Sequence, residues 1–118
     1  MLTDVGAERV YLACGSTDLR KSIDGLAAIV SHSFGLDPFS PCLFVFCNRR
    51  RDKLKILHWE HNGFWLYYRR LERGRFQWPD ATTPTPAKIS GRELRWLLDG
   101  LSLRQRQAHP EVIARTVI

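Results

Sequence analysis

Nine of the eighteen Lys and Arg residues lie within residues 49–75, a stretch that holds only three of the twelve carboxylates. Its balance of +6 equals that of the whole chain, so the remainder is neutral. Trp59, Phe64, Trp65, Tyr67 and Tyr68 fall in the same stretch. Cations set among flat rings suit a polyphosphate with stackable bases, because neutralised phosphates release counterions and ring faces accept bases. Arg49, Arg50, Arg51, Lys53, Lys55, Arg69, Arg70, Arg73 and Arg75 are the candidate phosphate contacts, and Trp65 and Tyr67 the candidate stacking surface. The plainer use of these residues is structural, with the rings as the core of a hairpin and the charges as its solvated face. Composition alone does not separate the two.

Smaller clusters suggest other chemistries. Ser16, Thr17 and Asp18 followed by Arg20 and Lys21 fit a phosphate site at a helix N-terminus, with Thr17, Arg20 and Lys21 as its candidates. The alternative there is a helix cap and a solvated first turn. His58, Glu60 and His61 are close in sequence, but on a strand His58 and Glu60 share a face while His61 falls in a turn, so a metal site is not expected. Cys14 has no neighbouring histidine to act as its base and reads as a core thiol. Asp18 and Asp24 are six positions apart on the proposed helix and point in different directions, and Asp52 sits in a basic loop, so no two-metal nuclease centre forms. The residues predict no catalytic centre and no cofactor.

The elements that position these groups follow from pattern. Residues 9–13 read as a strand, and a stripe of Leu19, Ile23, Leu26, Ala27, Val30 and Phe34 predicts a helix of about four to five turns, capped by Ser16 or Thr17 and ended at Gly35. Strands follow at 42–48, 53–60 and 64–71, with residues 49–52 (RRRD) as an exposed loop tip carrying three guanidiniums. The sequence HNG at 61–63 predicts a tight Asn-Gly hairpin turn. Within residues 53–60 the alternation slips after Ile56, which a bulge or burial of both faces would explain. Trp65, Tyr67 and Arg69 share one face of the third of these strands, the face expected to bind, and Phe64, Leu66 and Tyr68 share the other. Residues 75–78 suggest a fourth strand of the meander, 79–88 a polar Pro-rich connection, and Ser90 with Glu93 a capping box that opens a second helix to about Gly100.

The expected fold is α+β: a mostly antiparallel sheet of four to five strands in the order strand, helix, β-meander, helix, with one helix packed on the sheet. One domain over residues 1–103 and a tail over 104–118 are expected from the length and the fading pattern. The longest apolar run, CLFVFC at 42–47, is far short of the roughly 20 residues a membrane helix needs, and MLTDVGAERV lacks an export pattern, which suggests a cytoplasmic protein. Cys14, Cys42 and Cys47 include no CxxC pair and predict buried free thiols, not a disulfide framework or zinc ribbon.

Three stretches, CGSTDLRKSIDGLAAIV, FVFCNRRRDKLKILHWEHNGFWLYYRRLERGRFQWP and ELRWLLDGL, resemble the small accessory protein TnpB encoded by the second reading frame of the "sixty-six" group of bacterial insertion sequences. The resemblance covers about residues 9–101 and implies a non-catalytic role in transposition beside a separate transposase. An unrelated group of RNA-guided nucleases shares the TnpB label, but those proteins are several times longer and need three separated carboxylates and a cysteine zinc site, which this chain does not offer. Two functions are expected from here. In the first the chain binds DNA through the basic, aromatic hairpin with low sequence selectivity, because no reading helix is apparent. In the second it is an adaptor that docks on the transposase, or on another copy of itself, through exposed rings or the leucines of residues 94–101.

Overall fold

The computed structural model describes residues 9–103, which form one five-stranded sheet with a helical layer on each face. The elements are β1 (Val10–Leu12), α1 (Ile23–Ala28), β2 (Leu43–Cys47), β3 (Lys53–Glu60), β4 (Gly63–Arg70), β5 (Ala87–Ile89) and α2 (Gly91–Leu98). The strand order is β4-β3-β2-β1-β5. β1 and β2 are parallel, joined through α1, and the other neighbours are antiparallel. The fold is α+β, as the pattern of the sequence implies.

Both sheet faces are buried, which explains why β2 is apolar at all five positions. On one face Phe44, Phe46 and Leu57 pack with Leu26 and Val30, flanked by Leu19, Ile23, Ala27 and Phe34, so the helical stripe of the sequence is the true core-facing stripe. On the opposite face Val10, Leu12, Leu43, Val45, Leu54 and Ile56 pack with Leu94 and Leu97 of α2 and with Phe76 and Trp78. Two-sided burial also settles the slip in β3. Its register runs unbroken from Lys53 opposite Arg70 to Glu60 opposite Gly63, without a bulge, with Ile56 in one core and Leu57 in the other.

Three expectations are corrected. The first helix is shorter than the stripe suggests: it begins at Ile23 after Ser22 and continues from Ile29 to Ser33 as a π-helical turn, ending before Gly35, whose φ is +66°. Residues 17–20 are not helical because their polar groups are otherwise used. Thr17 N–H donates to the Cys47 carbonyl at 2.8 Å, and the Asp18 carboxylate accepts from the Arg20 amide at 3.0 Å. Residues 75–78 form no strand, yet Phe76 and Trp78 are buried as a plug, with the Trp78 indole donating to the Ala13 carbonyl at 3.0 Å. The fifth strand instead comes at the end of the supposed polar connection, where Ala87–Ile89 pairs with β1. Three residues are too few to carry a period, so this strand exists by partnership with β1.

The tail assigned to residues 104–118 lies outside the described residues. No helix among the described residues is long and apolar enough to cross a membrane. α2 opens with the capping box read from the sequence, Ser90 N–H donating to Glu93 Oε1 at 2.9 Å and Glu93 N–H to Ser90 Oγ at 3.1 Å.

Candidate nucleic-acid interface

The basic tip is built by Asn48. Its side-chain oxygen accepts from the amides of Asp52 (3.1 Å) and Lys53 (3.0 Å), while its amide donates to Asp52 Oδ1 at 2.7 Å. That bond is the main reason the Asp52 carboxyl is held below the usual range. The tight turn forces Arg51 to φ +62°, the left-handed region. The three arginines are therefore exposed but do not point together. Arg49 and Arg50 line an open groove on the α1 side of the sheet, and Arg51 lines a separate recess with Trp78, Pro79 and Asp80.

The groove has a volume of about 920 Å³ and lies between the irregular segment 16–20 and the start of the hairpin. Ser16, Thr17, Leu19 and Arg20 form one wall, and Asn48, Arg49, Arg50, Lys53, Lys55 and Tyr68 the other, with Asp18 as its single carboxylate. Asp18 is matched within the groove: Arg20 reaches it at 2.7 Å, and this contact holds its carboxyl down to about 2. Lys55 serves partly as a brace, since its Nζ donates to the carbonyls of Leu19 (2.7 Å) and Lys21 (3.0 Å) and lies 6.0 Å from the centre of the Tyr68 ring. Arg49, Arg50 and Lys53, beside the exposed Tyr68, line the open part of the groove.

The phosphate site imagined at a helix N-terminus is not formed, because the helix begins after these residues and the amides of Thr17 and Arg20 are already bonded. Thr17 and Arg20 nevertheless join the groove, while Lys21 is exposed outside its lining. Tyr68 is the residue that sequence reading missed. It shares its face with Phe64 and Leu66, as the alternation predicts, but the hairpin register sets it opposite Lys55 on the groove side, where it is 55% exposed. The signal was present in the turn: a two-residue connection between Glu60 and Gly63 fixes which β4 positions share a face with Lys53 and Lys55.

The face expected to bind is the other one. Trp65 is 53% exposed and stacks on Tyr67 (ring centres 6.1 Å apart), which in turn packs against the α2-side core. Arg69 shares this face, so it is separated from the groove by the sheet itself. Arg70 is on the groove side of β4 but pairs with Glu72 at 2.8 Å, and Arg73 and Arg75 are exposed in the connection beyond. Of the hairpin cations, Arg49, Arg50, Lys53 and Lys55 converge in the groove, and Arg51 and Arg69 do not.

The polar residues near the hairpin turn have local partners. His58 is buried with Nδ1–H donating to the Cys42 carbonyl at 3.3 Å, and Glu60 accepts from the Trp65 indole at 3.1 Å. His61 occupies the turn at φ +59°. Among the described residues no three His, Cys, Asp or Glu side chains are placed to share a metal ion. Cys42 and Cys47 are buried free thiols and Cys14 is half-buried.

Comparison with known proteins bears on the whole arrangement. The chain is 39% identical over 99 residues to "Uncharacterized protein y4hO" of Sinorhizobium fredii (strain NBRC 101917 / NGR234), covering 84% of this chain and 85% of that one. It is 34% identical over 71 residues to "Uncharacterized protein y4jC" of the same strain, covering 60% and 61% respectively. No solved structure matches it. The pattern described as "IS66 Orf2 like protein" matches residues 8–108, a span that contains all the strands and helices of the described residues and the whole groove. The chain therefore belongs to the IS66 Orf2-like family of insertion-sequence accessory proteins.

Proposed function

We propose that this accessory protein acts in transposition without chemistry of its own, by holding DNA through the phosphate backbone in the groove between residues 16–20 and the start of the hairpin. The observation that supports the reading is the convergence of Arg20, Arg49, Arg50, Lys53 and Lys55 around the exposed Tyr68, with Asp18 the single opposing carboxylate. Tyr68 offers a ring on which a base can stack, and the surrounding cations track phosphates. Such binding is salt-sensitive and weakly selective, since nothing in the groove reads base edges in a fixed pattern. The transposase encoded by the same element is the second partner, in keeping with the family.

A charge-reversal series tests this. Arg49→Glu with Arg50→Glu lowers affinity for duplex or single-stranded DNA by at least about tenfold at moderate salt, with each lost phosphate contact reducing the log-log salt slope by about 0.7 to 0.9. Arg95→Glu, exposed on α2 across the sheet from the groove, changes affinity much less. Equal loss from both variants, or no binding by the wild type at low salt, rejects the groove.

The adaptor reading retains one observation of its own. Phe39, 55% exposed, packs edge-on against Trp59 (ring centres 4.9 Å apart) and against Phe64, forming an aromatic surface at the far end of the hairpin. Leu94 and Leu97 do not support it, because both are buried in the protein's own core. Retention of the transposase by wild type but not by Phe39→Ser, with DNA binding absent from both, favours the adaptor.

A further inference from the structure

β4 is an edge of the sheet, eight residues long, and among the described residues it carries two of the four large apolar side chains that are exposed, Trp65 and Tyr68. Its sequence, GFWLYYRR, has no proline and no bulge to blunt it. We infer that this edge pairs with the β4 of a second copy of the chain, antiparallel about a two-fold axis at Tyr67.

The register is fixed by the hairpin. Glu60 and Gly63 are opposed across a two-residue turn, and Leu71 N–H donates to the Asp52 carbonyl at 2.7 Å, so the odd-numbered residues of β4 turn their backbone groups toward β3. Phe64, Leu66, Tyr68 and Arg70 therefore present theirs to the open edge. A two-fold centred on Tyr67 sets Phe64 opposite the partner's Arg70 and Leu66 opposite the partner's Tyr68, which uses all four outward positions in both copies. It also sets Trp65 opposite the partner's Arg69, a guanidinium beside an indole, twice over. No like charges are opposed. Centring one residue earlier, on Leu66, leaves Arg70 against the partner's turn and sets Trp65 opposite the partner's Tyr67 in place of Arg69, so self-complementarity selects one register.

Trp65 is prepared for this contact, stacked on Tyr67 and tied through its indole N–H to Glu60. The result is a continuous ten-stranded sheet. Because the axis is perpendicular to the sheet, both basic grooves open on the same side, with the two β3 strands roughly 14 Å apart at three strand spacings. In this respect alone the inference rests on the proposed DNA reading: two linked grooves bind one polymer more tightly than either does alone.

The test is the mass in solution without nucleic acid, measured by light scattering on the full chain at tens of micromolar, so its outcome is independent of DNA binding. The wild type is expected as a dimer. Trp65→Arg puts arginine opposite the partner's Arg69 at both ends and gives a monomer, with circular dichroism unchanged because the site is exposed. Adding Arg69→Glu restores the dimer. Within one chain these residues are four apart on the strand, about 13 Å, so the rescue reports contact between copies. A wild type monomeric at 100 µM (on the order of the highest working concentration), a dimer that Trp65→Arg leaves intact, or a double variant no more dimeric than the single one overturns the interface.

Discussion

Asp18 sets the charge of the groove. Its carboxylate is held down to about 2, first by the Arg20 side chain and then by the Arg20 amide, so it is ionised at every ordinary pH and offsets one cation where a phosphate would lie. Replacing it by asparagine releases Arg20, and DNA affinity is expected to rise about threefold, the size of one added phosphate contact at moderate salt, as read by fluorescence anisotropy. The depressed folded-state value means that its contribution to stability is present above the unfolded carboxylate range and is lost as pH falls from about 4 toward about 2. Between pH 5 and 8 neither stability nor DNA affinity should change through this group. The cysteines give a second check. Burial pushes the Cys47 thiol up to about 12 and raises Cys14 as well, so little reactive thiolate forms at pH 8. Thiol reagents are expected to modify Cys14 slowly, because it is half-buried, and to reach Cys42 and Cys47 only after denaturant is added, as mass spectrometry of the labelled protein would show.

The hairpin is the element on which the groove depends, since β3 and β4 carry Lys53, Lys55 and Tyr68 in one register. Its turn is built at some cost. His61, not a glycine, occupies the left-handed region at φ +59°, where a side chain costs roughly 1 to 2 kcal/mol. His61→Gly removes that strain and returns part of it as chain entropy, so a gain of up to about 1 kcal/mol is expected by urea denaturation. DNA affinity should be unaltered, because His61 is at the far end of β3 from the groove. A loss of stability would mean that the His61 side chain has a stabilising contact of its own. The opposite loop is held differently, by the Asn48 side chain bonding to Asp52 and Lys53, and that bracing is what keeps Arg49 and Arg50 beside the groove.

At the scale of the molecule, β2 is common to both cores, with Phe44 and Phe46 on one face and Leu43, Val45 and Cys47 on the other. Damage to either core should therefore unfold both. Phe46→Ala is expected to cost about 3 to 5 kcal/mol, a large share of the roughly 5 to 15 kcal/mol a domain of this size holds. Tryptophan fluorescence, which samples Trp78 on one face and Trp59 on the other, should give the same unfolding midpoint as circular dichroism. Two separated transitions would show that the faces melt independently.

The apolar stripe from Ile23 to Val30, the existence of the β3–β4 hairpin and the capping box at Ser90 were legible in the sequence because each is a local pattern that needs no distant partner. Leu19, however, lies before the helix, and the turn falls on His61 and Asn62 with Gly63 already paired to Glu60. The parallel pairing of β1 with β2, the short β5 and the buried plug of Phe76 and Trp78 were decided by tertiary structure, because each exists only through contacts with residues far along the chain. The same division runs through the site. That positive charge gathers in residues 49–75 is a property of composition, but which cations face one groove depends on the sheet, which sends Arg49, Arg50 and Lys53 to one side and Arg51 and Arg69 to the other. Residues 16–20 join them because Thr17 extends the pairing past Cys47 instead of starting a helix, a choice made by a hydrogen bond between segments that the linear sequence keeps apart.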